Sequence, residues 1–84
     1  MQLPSQPITL TAEQIKELNN KLATMRHDIN NQLSLINAAL ELIHYRPDTS
    51  QRMMAVLAEQ PPRIAAALVQ FSGEFEQTLG ITRP

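Results

Sequence analysis

The chain contains no cysteine, and it is poor in aromatic residues, glycine and net charge. The missing cysteine excludes a disulfide framework and a thiolate metal site, and two histidines among scattered carboxylates do not form a zinc cluster. One tyrosine and two phenylalanines in 84 residues leave only a small core. We therefore expect one domain at most, stabilised by association with another chain.

Charge and hydropathy restrict the possible partners further. A net charge of −1, from seven basic and eight acidic residues spread along the chain, gives no electrostatic footprint for nucleic acid or an anionic membrane. The N-terminus has no basic segment followed by an apolar core, and no later run is long enough to cross a bilayer. We expect a cytoplasmic protein with no nucleic-acid partner and no membrane partner.

The first part of the chain predicts an extended arm followed by a long helix. Residues 1–10 contain Pro4 and Pro7 among small polar residues and have no periodic apolar face. Thr11 and Gln14 have the spacing of a capping box, so a helix of about 12–45 should begin there. Its inward seam repeats every seven residues and comprises Ile15, Leu22, Ile29, Ile36 and Ile43, with Leu18, Met25 and Ala39 between them. Leu33 and Leu40 widen the stripe enough to contact two neighbours.

The second part predicts a returning helix. Pro47 disfavours helical geometry at Arg46 and indicates a turn at 46–50. A helix of about 51–79 follows, and its apolar series is Met54, Leu57, Ile64, Leu68, Phe71 and Phe75. Pro61 and Pro62 predict a kink or break at 61–62. Gly80 is a suitable C-cap, and residues 81–84 form a C-terminal tail.

Together these elements predict an all-α fold, an antiparallel helical hairpin over residues 11–80. Two amphipathic helices of this length cannot close a core between themselves without leaving apolar surface in water. Two hairpins that share one axis can do so, and we therefore expect a homodimer that forms a four-helix bundle.

A polar cluster lies on the first helix, outside its apolar seam. On the heptad, His27 takes the outermost position, Asp28 lies beside the seam, and Asn31 lies one turn below His27. A lone surface histidine is usually without function. Here an acid and an amide accompany the histidine.

The run from Met25 to Ile36, MRHDINNQLSLI, resembles the phosphoacceptor segment of two-component sensor histidine kinases. In that family a histidine is followed by an acid, an asparagine and then a proline-leucine pair. The segment lies on the first helix of a dimerisation and histidine-phosphotransfer domain. A second helix returns antiparallel and ends in a stretch similar to residues 63–71.

The resemblance implies a role for each polar residue. His27 would be the nucleophile that accepts a phosphoryl group, and Asp28 would orient the ring N–H and take up its proton. Asn31 matches a position that in some of these kinases orients water for dephosphorylation of a receiver. Arg26 and Lys21 are candidates to offset phosphate charge, although a solvated face is the simpler account of both. His44 is better explained as a favourable charge at the helix C-terminus.

Two departures from the family pattern limit what is implied. Gln32 replaces the proline that follows the asparagine in many members, so the kink below the histidine is not encoded. With only two glycines and no residues beyond Pro84, there is no glycine-rich ATP-binding domain in this chain. We expect no cofactor here, and either a phosphotransferase-like protein or a fragment of a histidine kinase.

Three functions remain open, and we favour the first. In the first, His27 exchanges a phosphoryl group with a separate histidine kinase ATP-binding domain or a response-regulator receiver domain. In the second, the bundle is a non-catalytic dimerisation or docking module that binds a kinase or receiver without being phosphorylated. In the third, it is an ordinary oligomerisation segment. For a docked receiver, Ser34 and Asn37 are hypothetical contacts.

Overall fold

A computed structural model describes residues 2–81, and its architecture is a hairpin of two long helices. Helix α1 comprises Ala12–Tyr45, a 3-10 turn comprises Pro47–Thr49, and helix α2 comprises Ser50–Leu79. The two helices pack against each other along an elongated molecule whose longest dimension is 58 Å. The described part of the tail predicted at 81–84 is Ile81 alone, and Met1 of the predicted arm also lies outside the described residues.

The start of α1 is a reciprocal capping box, as the spacing of Thr11 and Gln14 predicts. The backbone N–H of Gln14 donates to Thr11 Oγ1 over 3.0 Å, and the backbone N–H of Thr11 donates to Gln14 Oε1 over 2.8 Å. Both donors would otherwise lack a helical partner. The helix ends when the N–H of Arg46 donates to Leu42 O over 2.7 Å and Pro47 follows.

The turn is held by two hydroxyl groups. Thr49 Oγ1 donates to Arg46 O over 2.7 Å, and Ser50 Oγ donates to Pro47 O over 2.6 Å. Thr49 is buried, and its side chain makes no cap bond to α2. Helix α2 begins at Ser50. The sequence predicts a turn at 46–50 and a helix from 51, so α2 begins one residue earlier than predicted.

Of the kink or break expected at 61–62, the structure has no break, since helix α2 is continuous across Pro61 and Pro62. Each proline lacks the N–H that would bond to the carbonyl one turn earlier, on Leu57 or Ala58. Both rings are exposed, which keeps them out of the contact with α1. The helix ends in a Schellman motif at Gly80, whose φ is 70°. The N–H of the next residue, Ile81, donates to Glu76 O over 2.8 Å.

Between the helices lies a thin seam in which Ala39 is the one fully buried apolar side chain among the described residues. Most apolar seam residues are half-buried, and they are Leu18, Leu22, Met25, Ile29, Ile36 and Ile43 on α1 and Met53, Leu57, Ile64, Ala67 and Phe71 on α2. A single hairpin therefore leaves much of its apolar surface in water.

Part of the predicted inward set lies outside the seam. Ile15 is 55% exposed, since α2 ends near the level that Ile15 reaches. Met54, Leu68 and Phe75 are also exposed, because α2 is rotated so that the residue before each of them faces α1. These three side chains border the seam on one side of the hairpin.

Residues 2–9 of the N-terminal arm are non-helical and exposed. Leu3 and Ile8 of the arm lie beside Phe75 and Leu79 and, with them, border a shallow depression at the end of α2. The arm therefore lies over the C-terminal end of the second helix.

Candidate functional site

His27 and Asn31 lie one turn apart on the face of α1 that points away from α2, and both are exposed. Asn31 Nδ2 is 3.4 Å from His27 Nε2. An amide N–H donates and has no lone pair to accept with, so in this arrangement Nε2 accepts and the ring proton is on Nδ1. That lone pair accepts the hydrogen bond from Asn31, so Asn31 has to turn away before Nε2 can attack phosphorus.

Asp28 faces a different direction from His27. Successive residues of a helix are rotated by about 100°, and this rotation turns Asp28 toward α2. There it borders a cleft between the helices, which we call the interhelical cleft and which is lined by Lys21, Thr24, Met25, Asp28, Ala67, Gln70, Phe71 and Glu74. Within residues 2–81 the structure has no hydrogen bond between Asp28 and the His27 ring. The predicted role of Asp28 as proton acceptor stays a prediction.

The charged residues near His27 differ in their surroundings. Lys21 Nζ is 3.9 Å from Glu74 Oε1 across the interhelical cleft, with both side chains about half exposed. An ion pair of this length and exposure contributes little to stability, on the order of 0–1 kcal/mol. Arg26, adjacent to His27, is exposed. Lys21, one of the two candidates to offset phosphate charge, therefore points toward the carboxylate of Glu74 on α2.

The second histidine, His44, is in the last turn of α1, where a positive charge interacts favourably with the helix C-terminus. Its ring contacts Tyr45 edge-on, with ring centres 4.9 Å apart. No acid follows it directly as Asp28 follows His27, since the next residue is Tyr45. Ser34 and Asn37, the hypothetical receiver contacts, are both exposed on α1.

Two glutamines occupy the seam near its middle. Gln32, at the family's proline position, is half-buried, and α1 continues through it without interruption. Gln60 is 2% exposed, and its Nε2 donates to Val56 O over 2.7 Å. The Oε1 atoms of both side chains are buried without a hydrogen-bond partner. Gln60 is not among the residues predicted for the seam, although its spacing of seven from Met53 and from Ala67 places it there.

The described residues contain no cluster of three or more histidine and carboxylate side chains able to hold a metal ion. Among the same residues, neither helix is sufficiently long and apolar to traverse a bilayer. The chemistry available to this surface is that of an accessible imidazole, a neighbouring amide and a nearby carboxylate.

No protein-family model, curated protein or solved structure matches the chain.

Proposed function

We propose that this chain is a phosphoacceptor and dimerisation module of two-component signalling, and that His27 exchanges a phosphoryl group with a separate protein. The observation that carries the proposal is the exposure of the His27 ring on the outer face of α1, with Asn31 as its hydrogen-bond neighbour. A histidine that receives a phosphoryl group from another protein must be accessible to that protein, and the His27 side chain is exposed.

The transfer requires one lone pair and the removal of one proton. His27 Nε2 attacks phosphorus, an N–P bond forms, and the bond between phosphorus and the donor oxygen breaks with its electron pair leaving on that oxygen. The donor is either ATP held by a kinase domain or the acyl phosphate of a receiver aspartate. The phosphorylated ring then loses its Nδ1 proton to a base, and Asp28 is the nearest carboxylate in sequence.

We further propose that the module acts as a homodimeric four-helix bundle in the cytoplasm. The support for the dimer is the thin seam, in which one apolar side chain among the described residues is fully buried. A second hairpin would cover apolar side chains that now face water. A partner kinase or receiver would approach the opposite, outward face that carries His27.

The test is phosphoryl transfer to the purified protein. The chain is incubated with an isolated histidine kinase ATP-binding domain and labelled ATP, or with a phosphorylated receiver domain. We expect label that is labile in acid and stable in base, as phosphohistidine is. His27→Gln should abolish it, and His44→Gln, which removes the other histidine of the chain, should leave it unchanged.

A second candidate, a docking module that binds a kinase or receiver without being phosphorylated, is favoured by the position of Asp28, which faces the interhelical cleft and not the ring. The two functions give different results in the same experiment. Absence of label with every competent donor, together with binding of the receiver by both wild type and His27→Gln, would select the docking module. Label that persists in His27→Gln would contradict the phosphoacceptor assignment.

Asp28→Asn separates the role of the acid from that of the nucleophile. If Asp28 takes up the ring proton, the initial rate of labelling should fall by about a hundredfold or more, the range for general base catalysis. Asp48→Asn, which changes an exposed acid in the turn, is the matched control. An unchanged rate in Asp28→Asn would remove Asp28 from the mechanism and would leave His27 as the acceptor.

A further inference from the structure

Among the described residues, the side chain of Asn31 has one hydrogen-bond partner, the ring of His27. Its Nδ2 lies 3.4 Å from Nε2, and both side chains are exposed. A side chain on a helix leans toward the N-terminus of that helix, so the residue one turn after His27 leans toward the ring. Ala23, one turn before His27, has a methyl group and no polar atom in its side chain. The contact with the ring therefore comes from one side, and it is an amide.

The charged residues near His27 are directed elsewhere. Asp28 borders the interhelical cleft, and Lys21 has its ion pair across that cleft. Arg26 is exposed and lies about 100° around the helix from His27. Within residues 2–81, the polar side-chain group within hydrogen-bond distance of Nε2 is the amide of Asn31.

Phosphorylation changes what this amide can bond to. Once the lone pair of Nε2 forms the N–P bond, Nε2 no longer accepts a hydrogen bond, and the N–H of Asn31 needs another acceptor. The phosphoryl oxygens are two covalent bonds from Nε2, close to the position that Nδ2 occupies 3.4 Å from the same atom. A rotamer change of the exposed Asn31 side chain moves the amide aside and brings its N–H against these oxygens.

The new hydrogen bond is stronger than the one it replaces. The ring nitrogen is a neutral acceptor, whereas the phosphoryl oxygens carry negative charge, and hydrogen bonds to ionised acceptors are roughly twice as strong as neutral ones. An interaction that strengthens during a reaction favours its product. A difference of this kind changes an equilibrium constant by about three- to tenfold.

We propose that Asn31 stabilises phosphohistidine, because its amide donates to Nε2 in the unphosphorylated protein and to a phosphoryl oxygen after transfer. This inference rests on the proposed phosphorylation of His27. It assigns Asn31 a role at the phosphohistidine itself, which differs from the orientation of water at a receiver that the family resemblance implies. The consequence is that the phosphoryl group is distributed further toward this chain and away from its donor.

Phosphoramidate, a small phosphoryl donor, tests the role of Asn31 without a partner protein. Transfer to a histidine releases ammonia, so the reaction can be brought to equilibrium from both directions at a fixed ratio of phosphoramidate to ammonia. Phosphorus NMR then measures the ratio of phosphorylated to free histidine. For His27 we expect this ratio to be about three- to tenfold higher in wild type than in Asn31→Leu, which keeps the approximate size of the side chain and removes its donor. For His44 the ratio should be the same in both proteins.

The adjacent residue provides a matched control. Asn30 is also an exposed asparagine of α1, and it has no hydrogen bond to the ring among the described residues. Asn30→Leu should therefore leave the ratio for His27 unchanged. Asn31→Asp should lower it at least as far as Asn31→Leu, because a carboxylate repels the phosphoryl group. Each variant changes an exposed position of the helix, so the hairpin should be retained.

The unphosphorylated ring gives a second readout. Nitrogen NMR at about pH 8.5, where an imidazole is neutral, reports how the ring proton is shared between Nδ1 and Nε2. Since the amide of Asn31 donates to Nε2, its removal in Asn31→Leu should shift the proton of His27 from Nδ1 toward Nε2. Asn30→Leu should leave the distribution as in wild type.

The possible failures are distinguishable. Equal ratios for His27 in wild type and Asn31→Leu, or an equal loss in Asn30→Leu, would overturn the role of Asn31. An unchanged proton distribution in Asn31→Leu would overturn the resting contact on which that role depends. If no protein donor labels His27 while the ratio with phosphoramidate still depends on Asn31, the proposed function fails and the stabilising role remains. If phosphoramidate modifies His44 and leaves His27 free, the stabilising role fails.

Discussion

Replacing Gln60 with leucine is expected to stabilise the hairpin by about 2 kcal/mol. The side chain is 2% exposed, and its Oε1 is buried without a partner. A buried acceptor of this kind costs about 2 kcal/mol, and a leucine of similar volume removes that cost and, beyond the methylenes that glutamine already buries, adds apolar burial worth about 1 kcal/mol. The variant loses the bond from Nε2 to Val56 O, worth about 1 kcal/mol. Val56 O keeps its helical acceptor position toward the backbone N–H one turn later.

The measurement is thermal unfolding followed by circular dichroism. A gain of about 2 kcal/mol in a domain of this size raises Tm by roughly 8–16 °C. All variants are compared at one protein concentration, because association also raises Tm. Gln70→Leu, at an exposed position of the same helix, should change stability by no more than about 0.5 kcal/mol.

Gln60→Glu should lower the free energy of unfolding. It keeps the shape of the side chain and replaces the donor to Val56 O with a carboxylate oxygen, in a site with almost no access to water. We expect a loss of at least about 2 kcal/mol at neutral pH. A lower Tm for Gln60→Leu than for wild type would refute the reasoning, since it would mean that Oε1 has a hydrogen-bond partner in the assembled protein.

Two predictions concern the helix ends. Thr11→Ala should lower the free energy of unfolding in urea by about 1 kcal/mol, because the N–H of Gln14 loses its acceptor. Thr11→Ser keeps that acceptor and should be close to wild type. Equal losses in both variants would contradict the cap. Gly80→Ala should lower the free energy of unfolding by about 1 kcal/mol, because the φ of this residue is 70°. Gly73→Ala, with a helical φ and no atom near the added Cβ, should raise it by about 0.5–1 kcal/mol. A change of the same sign in both variants would be inconsistent with the observed helix end.

Local sequence signals were sufficient for the two helices and their ends. The spacing of Thr11 and Gln14 predicts the start of α1, and the cap forms through two backbone donors that have no other helical partner. Gly80 likewise predicts the end of α2, because a positive φ is inexpensive only for glycine. The partner atoms of each cap lie within a few residues of one another, so these features can be read without the tertiary fold.

The proline pair shows what a local rule leaves open. Pro61 and Pro62 predict a kink or break because each removes a helical donor, and α2 has no break at them. The rings are on the exposed surface, and Gln60, just before them, is held in the seam against Val56 O. Contact with α1 along the length of α2 is the tertiary constraint that the local rule does not include.

By itself, the sequence determined that two amphipathic helices form a hairpin and that His27 and Asn31 share the outer face of α1, because both follow from the helical repeat. On each helix, two neighbouring rows of residues spaced by seven are able to face the other helix, and only the tertiary structure decided which row does. Gln60 enters the seam and Leu68 leaves it, and Asp28 turns to the interhelical cleft while Asn31 contacts the ring. The physical reason is that an apolar stripe wider than one contact leaves the rotation of each helix about its axis open until both surfaces pack together.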